Sequence, residues 1–159
     1  MHITCIVKAV GAALCNLLCH IFGNYKHTVD KKGRVFIPAK LRDSLGESFM
    51  ICRSIDSRPC LRVYSAEQWA VLDEKLRALP ARAGDFKRKI YSSATSLECD
   101  SQGRILIPVK LREFAGLGGE ASFIGMSDFF EVWNPDNWNN EDSECSEDRM
   151  DEIAEEFNL

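Results

Sequence analysis

The stretch TVDKKGRVFIPAKLR, from Thr28 to Arg42, occurs a second time in altered form as ECDSQGRILIPVKLR, from Glu98 to Arg112. At a constant offset of 70 residues, eight of the fifteen positions are identical. Similarity resumes downstream, where VYSAEQW at 63–69 matches VWNPDNW at 132–138. The chain therefore contains two copies of one unit of about 45 residues, and a unit of that size buries its own apolar face poorly.

Each copy predicts the same succession of local structures. Asp30 to Gly33 predicts a turn, because glycine adopts a positive φ without steric cost, and Arg34 to Ile37 predicts a β-strand. Pro38 suits the first position of a helix that Gly46 ends. The second copy repeats this order, with Gly103, a strand over Arg104–Ile107 and a helix over Pro108–Ala115. Strands are also predicted over 48–53, 61–64, 121–126 and 129–133, and helices over 65–79, over 85–93 and after the cap at Asn134. The pattern predicts an α+β fold.

Composition indicates a soluble globular protein, since 45% of the 159 residues are hydrophobic, 28% are charged and no residue type dominates. The formal net charge of −4 conceals a division along the chain. From Tyr25 to Arg112, 18 Lys and Arg residues stand against 10 Asp and Glu, whereas Glu113–Leu159 holds Arg149 and 14 acidic residues. A basic body fits an anionic partner, with the acidic tail screening non-specific contacts or facing another subunit. A solvated acidic tail without a partner is the alternative.

Neither the cysteines nor the apolar amino terminus indicates a metal or catalytic site. The seven cysteines form no Cys-x-x-Cys pair and no paired spacing, so we expect reduced thiols and no bound metal. Residues 1–22 contain an apolar run typical of a signal peptide, but no cleavage motif follows it. Three interpretations stay open for this segment: a translation start set too early, a short membrane-associating extension, or a packing helix. Stable membrane association is not expected.

The duplicated motif resembles that of the MraZ family, bacterial regulators built from two SpoVT/AbrB-like swapped-hairpin units. The resemblance covers about Gly23 to Trp138 and rests on two copies of Asp-x-x-x-Arg followed by apolar-x-Ile-Pro, on GNYKHTVD at the start, and on an aromatic residue before each terminal Trp. It implies interleaved, double-psi-like β-hairpins in which the two halves of one chain form a pseudo-dimer. It also implies a ring-like homo-oligomer that binds double-stranded DNA at repeated promoter boxes of the division and cell-wall gene cluster. Residues 1–22 depart from the family pattern, which favours a start set too early.

On this basis the chain divides into five segments. They are an apolar amino-terminal extension over 1–22, a first SpoVT/AbrB-like unit over 24–66, a helical linker over 67–93, a second unit over 94–137 and an acidic tail over 138–159. The tail carries Met150, Ile153, Ala154 and Phe157 at helical spacing, so we expect it to pack against its own domain or against a neighbouring subunit.

The two turns are the candidate DNA-binding elements. Asp30 and Arg34 flank the first turn, so the carboxylate can orient the guanidinium, and the second turn repeats the arrangement. Arginine pairs bidentately with guanine O6 and N7, which suits base reading, whereas Asp would repel phosphate. An exposed salt bridge that only stabilises the turn is the alternative. The candidate DNA-binding residues are Asp30, Lys31, Lys32, Arg34, Asp100 and Arg104.

The remaining basic residues of the motif differ in their expected roles. Lys31 and Lys32 have Ser101 and Gln102 as counterparts, so the first turn should bind phosphates more strongly than the second. Four further basic residues belong to the short predicted helices, and we expect them to form a solvated face. These are Lys40, Arg42, Lys110 and Arg112.

No pattern in the sequence indicates an enzyme or a cofactor. His27 is the only histidine beyond residue 22, and the chain shows no nucleophile elbow, phosphate-binding glycine loop or zinc signature. Cys99 precedes Asp100, but Val29 is its counterpart, so a catalytic thiol common to both halves is not expected. We expect a cytoplasmic, nucleoid-associated protein. The competing hypothesis is an antitoxin-like protein-binding module whose acidic tail, Glu141–Leu159, binds a basic partner.

Overall fold

A computed structural model describes residues 20–159. Only three residues of the segment 1–22 fall in this range, so the three interpretations of that segment lie outside the described residues. No helix among residues 20–159 is both long and apolar enough to cross a membrane.

The two halves of the chain contain the same elements in the same order. The first half comprises β1 (Asn24–Thr28), β2 (Arg34–Phe36), α1 (Ala39–Leu45), β3 (Ser48–Arg53), β4 (Cys60–Ser65) and α2 (Ala66–Arg77). A 3-10 turn (Ala81–Ala83) and α3 (Gly84–Ser93) connect it to the second half. The second half comprises β5 (Thr95–Glu98), β6 (Arg104–Leu106), α4 (Val109–Ala115), β7 (Glu120–Gly125), β8 (Phe130–Trp133) and α5 (Pro135–Glu144), and the chain ends with α6 (Glu147–Phe157).

The strands of the two units are exchanged. The six-stranded antiparallel sheet has the order β1-β7-β8-β4-β3-β5, so the first strand of each unit pairs with the third strand of the other. A second, two-stranded sheet joins β2 to β6. Because neither unit completes a sheet on its own, the two halves form an intrachain pseudo-dimer. The expected α+β class and swapped-hairpin arrangement are confirmed.

The two units are related by a pseudo-twofold axis that the strand registers locate. In the two-stranded sheet, Val35 pairs with Ile105, which is its own counterpart at the offset of 70. In the centre of the large sheet, Arg62 of β4 pairs with Glu131 of β8, its counterpart at the offset of 69. The axis therefore passes through both sheets, and at the second position it relates two residues of opposite charge.

The apolar residues that the two copies share form the core between the sheets and helices. Ile37 and Ile107 are 1% and 0% exposed, and Leu41 and Leu111 are also buried. They belong to one cluster with Phe123 and several other residues of both halves. The shared apolar positions of the motif thus serve packing, and its shared polar positions belong to the turns.

The helices begin and end close to the predicted residues, with two corrections. Pro38 and Pro108 were expected at the first helical position, but both have an extended ψ (135° and 142°) and act as the residue before the helix. The helix predicted over 65–79 starts as expected, with the Ser65 side chain accepting a hydrogen bond from the Gln68 N–H, but it ends at Arg77. Pro80 follows shortly after, and proline cannot continue a helix.

The acidic tail divides into two parts with different environments. Helix α5 caps its own domain: Trp138 packs edge-on against Trp133, with ring centroids 5.8 Å apart, and Glu141 forms an ion pair with Arg58. Helix α6, by contrast, leaves Met150 and Phe157 exposed. Helix α5 thus packs against its own domain, whereas the packing expected for the apolar residues of α6 stays a prediction.

Candidate nucleic-acid interface

The first turn, Asp30–Gly33, holds Arg34 through the Asp30 side chain. The Asp30 carboxylate accepts hydrogen bonds from the backbone N–H of Lys32 and of Arg34, both at 2.9 Å, and from Arg34 Nε at 2.7 Å. The backbone closes the turn, since the Gly33 N–H donates to the Asp30 carbonyl at 2.9 Å. One carboxylate thus stabilises the turn and also sets the direction of the guanidinium.

The second turn, Asp100–Gly103, repeats this geometry. Asp100 accepts from the backbone N–H of Gln102 and of Arg104 at 2.9 Å, and from Arg104 Nε at 2.8 Å. In both turns Asp engages Nε, and no hydrogen bond within residues 20–159 involves the two terminal nitrogens of either guanidinium. The structure brings each predicted Asp together with its Arg.

These hydrogen bonds keep both carboxylates ionised. Donation from the Arg34 backbone N–H, followed by the other donors of the turn, lowers the pKa of Asp30 to about 2. The Arg104 backbone N–H likewise lowers the pKa of Asp100. Hydrogen bonds to a carboxylate favour its charged form. At neutral pH each Arg therefore faces a full negative charge.

Each turn is also supported by the other unit. The Ile107 N–H donates to the Gly33 carbonyl, and the Ile37 N–H donates to the Gly103 carbonyl, both at 3.1 Å. Gly33 has φ +87°, and a Cβ added there would collide with the guanidinium of Arg112. The two turns therefore depend on both halves of the chain for their shape.

The predicted solvated face needs correction at one arginine. Arg112 is half-buried against Gly33, and its Nε donates to the Ile107 carbonyl at 3.0 Å. Arg42 lies beside Gly103 but is exposed, as expected. Helical spacing describes only the helix on which a residue lies, and strand exchange brings these arginines to the opposite unit's turn. Lys40 and Lys110 are exposed, as expected.

Strands β2 and β6 form a two-stranded antiparallel ribbon between the turns. Its inner side, Val35 and Ile105, is buried. On its outer side Arg34 pairs with Leu106, and Phe36 pairs with Arg104. We call these four outward residues the ribbon face: Arg34, Phe36, Arg104 and Leu106.

The ribbon face combines arginines with exposed apolar side chains. Phe36 and Leu106 are 46% and 53% exposed, and the guanidinium carbon of Arg104 lies 6.0 Å from the centre of the Phe36 ring. Sequence reasoning missed Phe36 and Leu106 as part of the site. The alternation of strand residues could have found them, because positions 34 and 36 point to the same side of a strand.

The charge next to the ribbon face differs between its two ends. Lys31 and Lys32 lie exposed on the first turn, where the second turn has Ser101 and Gln102. The interface is thus basic at one end and neutral at the other, with a mixed arginine and apolar centre.

Among residues 20–159 no group of three or more His, Cys, Asp or Glu side chains is placed to hold a metal ion.

Comparison with known proteins identifies relatives along most of the chain. The family model described as "MraZ protein, putative antitoxin-like" matches twice, over residues 21–88 and 90–158. The chain is similar to the transcriptional regulator MraZ of Limosilactobacillus reuteri (strain DSM 20016), with 44% identity over 142 residues, which cover 87% of this chain and 98% of that protein. It is also similar to the proteins of that name from Caldicellulosiruptor saccharolyticus, with 42% identity over 87% of this chain and 99% of the relative, and from Acetivibrio thermocellus, with 47% identity over 74% and 82%. The chain therefore belongs to the MraZ family.

Proposed function

We propose that the protein is a transcriptional regulator that binds double-stranded DNA sequence-specifically through the ribbon face and the two turns. The observation that carries this proposal is the pair of arginines, each oriented by an ionised Asp, on an exposed two-stranded ribbon. The names of the relatives support transcriptional regulation.

The ribbon has the two-stranded form and the outward side-chain chemistry that suit a major-groove reader. The major groove of B-DNA admits a two-stranded β-ribbon. The free terminal nitrogens of Arg34 and Arg104 match guanine O6 and N7, and a good bidentate pair contributes about 1–3 kcal/mol of discrimination. Phe36 and Leu106 are suited to apolar contact with thymine methyl groups. Asp30 and Asp100 orient the arginines rather than touch DNA.

The pseudo-twofold axis through Val35 and Ile105 relates the two arginines. It therefore presents them to the duplex in opposite directions. One ribbon spans only a few base pairs, so several chains must act together for useful affinity. We propose a ring-like homo-oligomer on repeated promoter boxes of the division and cell-wall gene cluster, in the cytoplasm and associated with the nucleoid. Tethered sites raise the effective concentration of each further contact.

The test measures binding of the full chain to fluorescently labelled duplexes from its own upstream region and to scrambled duplexes of equal composition. We expect selective, salt-sensitive binding, with tandem boxes bound far more tightly than one box. Arg34→Ala should reduce discrimination on the order of 10- to 100-fold. Arg77→Ala, which removes the same charge from an exposed position on α2, should leave discrimination unchanged. Equal binding of cognate and scrambled duplexes by the unaltered protein would contradict the proposal.

A further inference from the structure

Helix α6 is an amphipathic helix whose apolar side is only partly covered, since Ile153 and Ala154 are half-buried. Met150, Ile153, Ala154 and Phe157 recur at helical spacing, and Met150 and Phe157 are 58% and 62% exposed. An 11-residue helix is marginal in water, and most helices gain their stability by packing an apolar face. Its remaining surface is strongly negative, with six acidic residues: Glu147, Asp148, Asp151, Glu152, Glu155 and Glu156.

A groove on the second unit has the opposite character. It encloses about 480 Å³ between the end of α3, the start of α4 and the edge of β3. Pro108, Val109, Leu111 and Phe114 give it an apolar floor, and Val109 is 57% exposed. Its charged lining residues are all basic: Arg53, Lys89 and Lys110. We call it the α3/α4 groove.

The basic residues of the α3/α4 groove are free to meet an acidic partner. The Arg53 guanidinium lies 4.4 Å from the centre of the Phe114 ring, and within residues 20–159 none of the three basic residues forms a salt bridge. The groove shares no residue with the ribbon face or the turns.

We propose that α6 of one copy of this chain docks in the α3/α4 groove of the next copy. The apolar stripe of α6 would cover Val109 and Phe114, and its flanking carboxylates would face Lys89 and Lys110. The assignment rests on the self-association included in the proposed function and names the surfaces that produce it.

The two units differ at this place, which determines the geometry of the assembly. Among residues 20–159, the corresponding cleft of the first unit, between α1 and His20–Phe22, encloses about 180 Å³. A larger cleft of about 600 Å³ beside α1 carries acidic residues, among them Asp43, Glu47 and Glu67, and would repel α6. The described part of each chain thus offers one α6 helix and one large groove with a basic lining, and a contact between these unlike surfaces is head-to-tail. Such contacts build closed rings when the rotation between neighbours closes, and filaments when it does not.

The experiment uses two complementary variants of the full chain, with mass measured by light scattering in the absence of DNA. The groove variant, Lys89→Glu with Lys110→Glu, keeps α6 intact, and the helix variant, Met150→Asp with Phe157→Asp, keeps the groove intact. We expect the unaltered protein to form assemblies of several chains. Each variant alone should fall to the 18.0 kDa of one chain. An equal mixture should form a species of two chains and nothing larger, because only one good helix and one good groove remain.

Matched controls alter equally exposed residues elsewhere. Val71→Asp and Lys75→Glu, both on α2, should leave the mass of the assembly unchanged, and far-ultraviolet circular dichroism verifies that every variant is folded. The proposal is overturned if the unaltered protein is a single chain, if both variants assemble like the unaltered protein, or if their mixture does not associate. Assembly that survives in both variants would leave α6 free for a basic partner protein.

Binding to a duplex with one box separates this inference from the proposed function. Both variants should retain the single-box selectivity of the unaltered protein and lose its preference for tandem boxes. Retained selectivity with unaltered assembly contradicts only the docking of α6. If the mixture of the groove variant and the helix variant forms the two-chain species but the unaltered protein does not bind DNA selectively, only the proposed function is contradicted.

Discussion

At the scale of single residues, the turns combine two tasks in one carboxylate. One oxygen of Asp30 accepts from two backbone N–H groups, and the other accepts from Arg34 Nε. The first set of bonds maintains the turn, and the second orients the reading group. A substitution that keeps the first oxygen and replaces the second therefore separates the shape of the turn from the orientation of the Arg34 guanidinium.

Asp30→Asn is that substitution. The Asn carbonyl still accepts from the backbone, but its NH₂ group cannot accept from Arg34 Nε, so the guanidinium loses its fixed direction. We expect reduced discrimination between cognate and scrambled duplexes, with unchanged or stronger binding to scrambled DNA because a negative charge is removed. Titration of both duplexes by fluorescence anisotropy measures this. Asp100→Asn should act in the same way at the other turn, and unchanged discrimination in the double variant would show that the carboxylates do not orient the arginines.

The lowered pKa of Asp30 predicts a definite pH range. Because the pKa falls from 3.8 to about 2 on folding, the ionised carboxylate stabilises the turn above pH 4, and this contribution is lost as the pH falls through about 2. The Asp30–Arg34 pair should therefore be intact throughout pH 5–8. Carbon-13 NMR of the Asp carboxyl groups tests this directly. A midpoint near 4 for Asp30 would show that the hydrogen bonds of the turn do not hold in solution.

At the scale of elements, strand exchange determines what could be predicted. Most strands and helices follow from alternation, turn residues and caps and begin within one or two residues of the prediction, but no strand was predicted over β1 or β5. The pairing of β1 with β7 could be expected only from the family resemblance, because no local pattern reports a partner strand. For the same reason Arg112 was assigned to a solvated face, although it is half-buried against Gly33 of the opposite unit.

Gly33→Ala tests the contact between a turn and the opposite helix. Gly33 and Gly46 both have a positive φ, but only Gly33 lies against a side chain, that of Arg112. Gly46→Ala should cost about 1–3 kcal/mol of unfolding free energy from strain alone. Gly33→Ala should cost about 1 kcal/mol more, because Arg112 must leave its hydrogen bond to the Ile107 carbonyl. Urea unfolding measures both, and the added cost should disappear when Arg112→Ala is present in both backgrounds.

The ion pair of Arg62 and Glu131 at the centre of the large sheet gives the two units opposite charges at equivalent positions. Arg62 and Glu131 are pseudo-symmetric counterparts, with Arg62 Nε 3.8 Å from Glu131 Oε1, and Glu131 also accepts from Trp133 Nε1 at 2.8 Å. Two like charges at this position would repel each other directly across the axis. The opposite charges favour pairing of β4 with β8 over pairing of two copies of the same strand.

Arg62→Leu should therefore destabilise the fold by about 3 kcal/mol, because it leaves the buried Glu131 without a cation and also removes the ion pair of Arg62 with Asp56 at 3.3 Å. Adding Glu131→Gln removes the buried charge and retains an oxygen for the Trp133 N–H, so the double variant should recover the part of the lost free energy of unfolding that comes from Glu131. Thermal and urea unfolding of the single and double variants measure the interaction free energy between Arg62 and Glu131. Additive losses would indicate that the two side chains do not interact.

At the scale of the whole molecule, basic and acidic residues occupy different parts of the chain. The basic body surrounds the turns, while the acidic residues concentrate in α5 and α6. The net charge of −4 therefore says little about the partner, whereas the distribution favours an anionic one. The same distribution allows the tail to bind a basic surface of another copy.

Neutralising Lys31 and Lys32 tests the phosphate contacts of this body. By counterion release, each phosphate contact contributes about −0.9 to the slope of log K against log salt, so Lys31→Gln with Lys32→Gln should flatten the slope by up to ~2. Base preference should not change, because neither Lys belongs to the ribbon face. Binding isotherms at several salt concentrations measure the slope, and Lys75→Gln is the control. A slope equal to that of the unaltered protein would place these lysines away from the duplex.

The backbone hydrogen bonds from Ile107 to Gly33 and from Ile37 to Gly103 determine how destabilising missense mutations affect function. A missense lesion that unfolds either half removes the support of the intact half as well, so both reading elements fail together and no half-active product remains. Loss of function should thus be complete for any lesion that unfolds one half, whichever half it falls in.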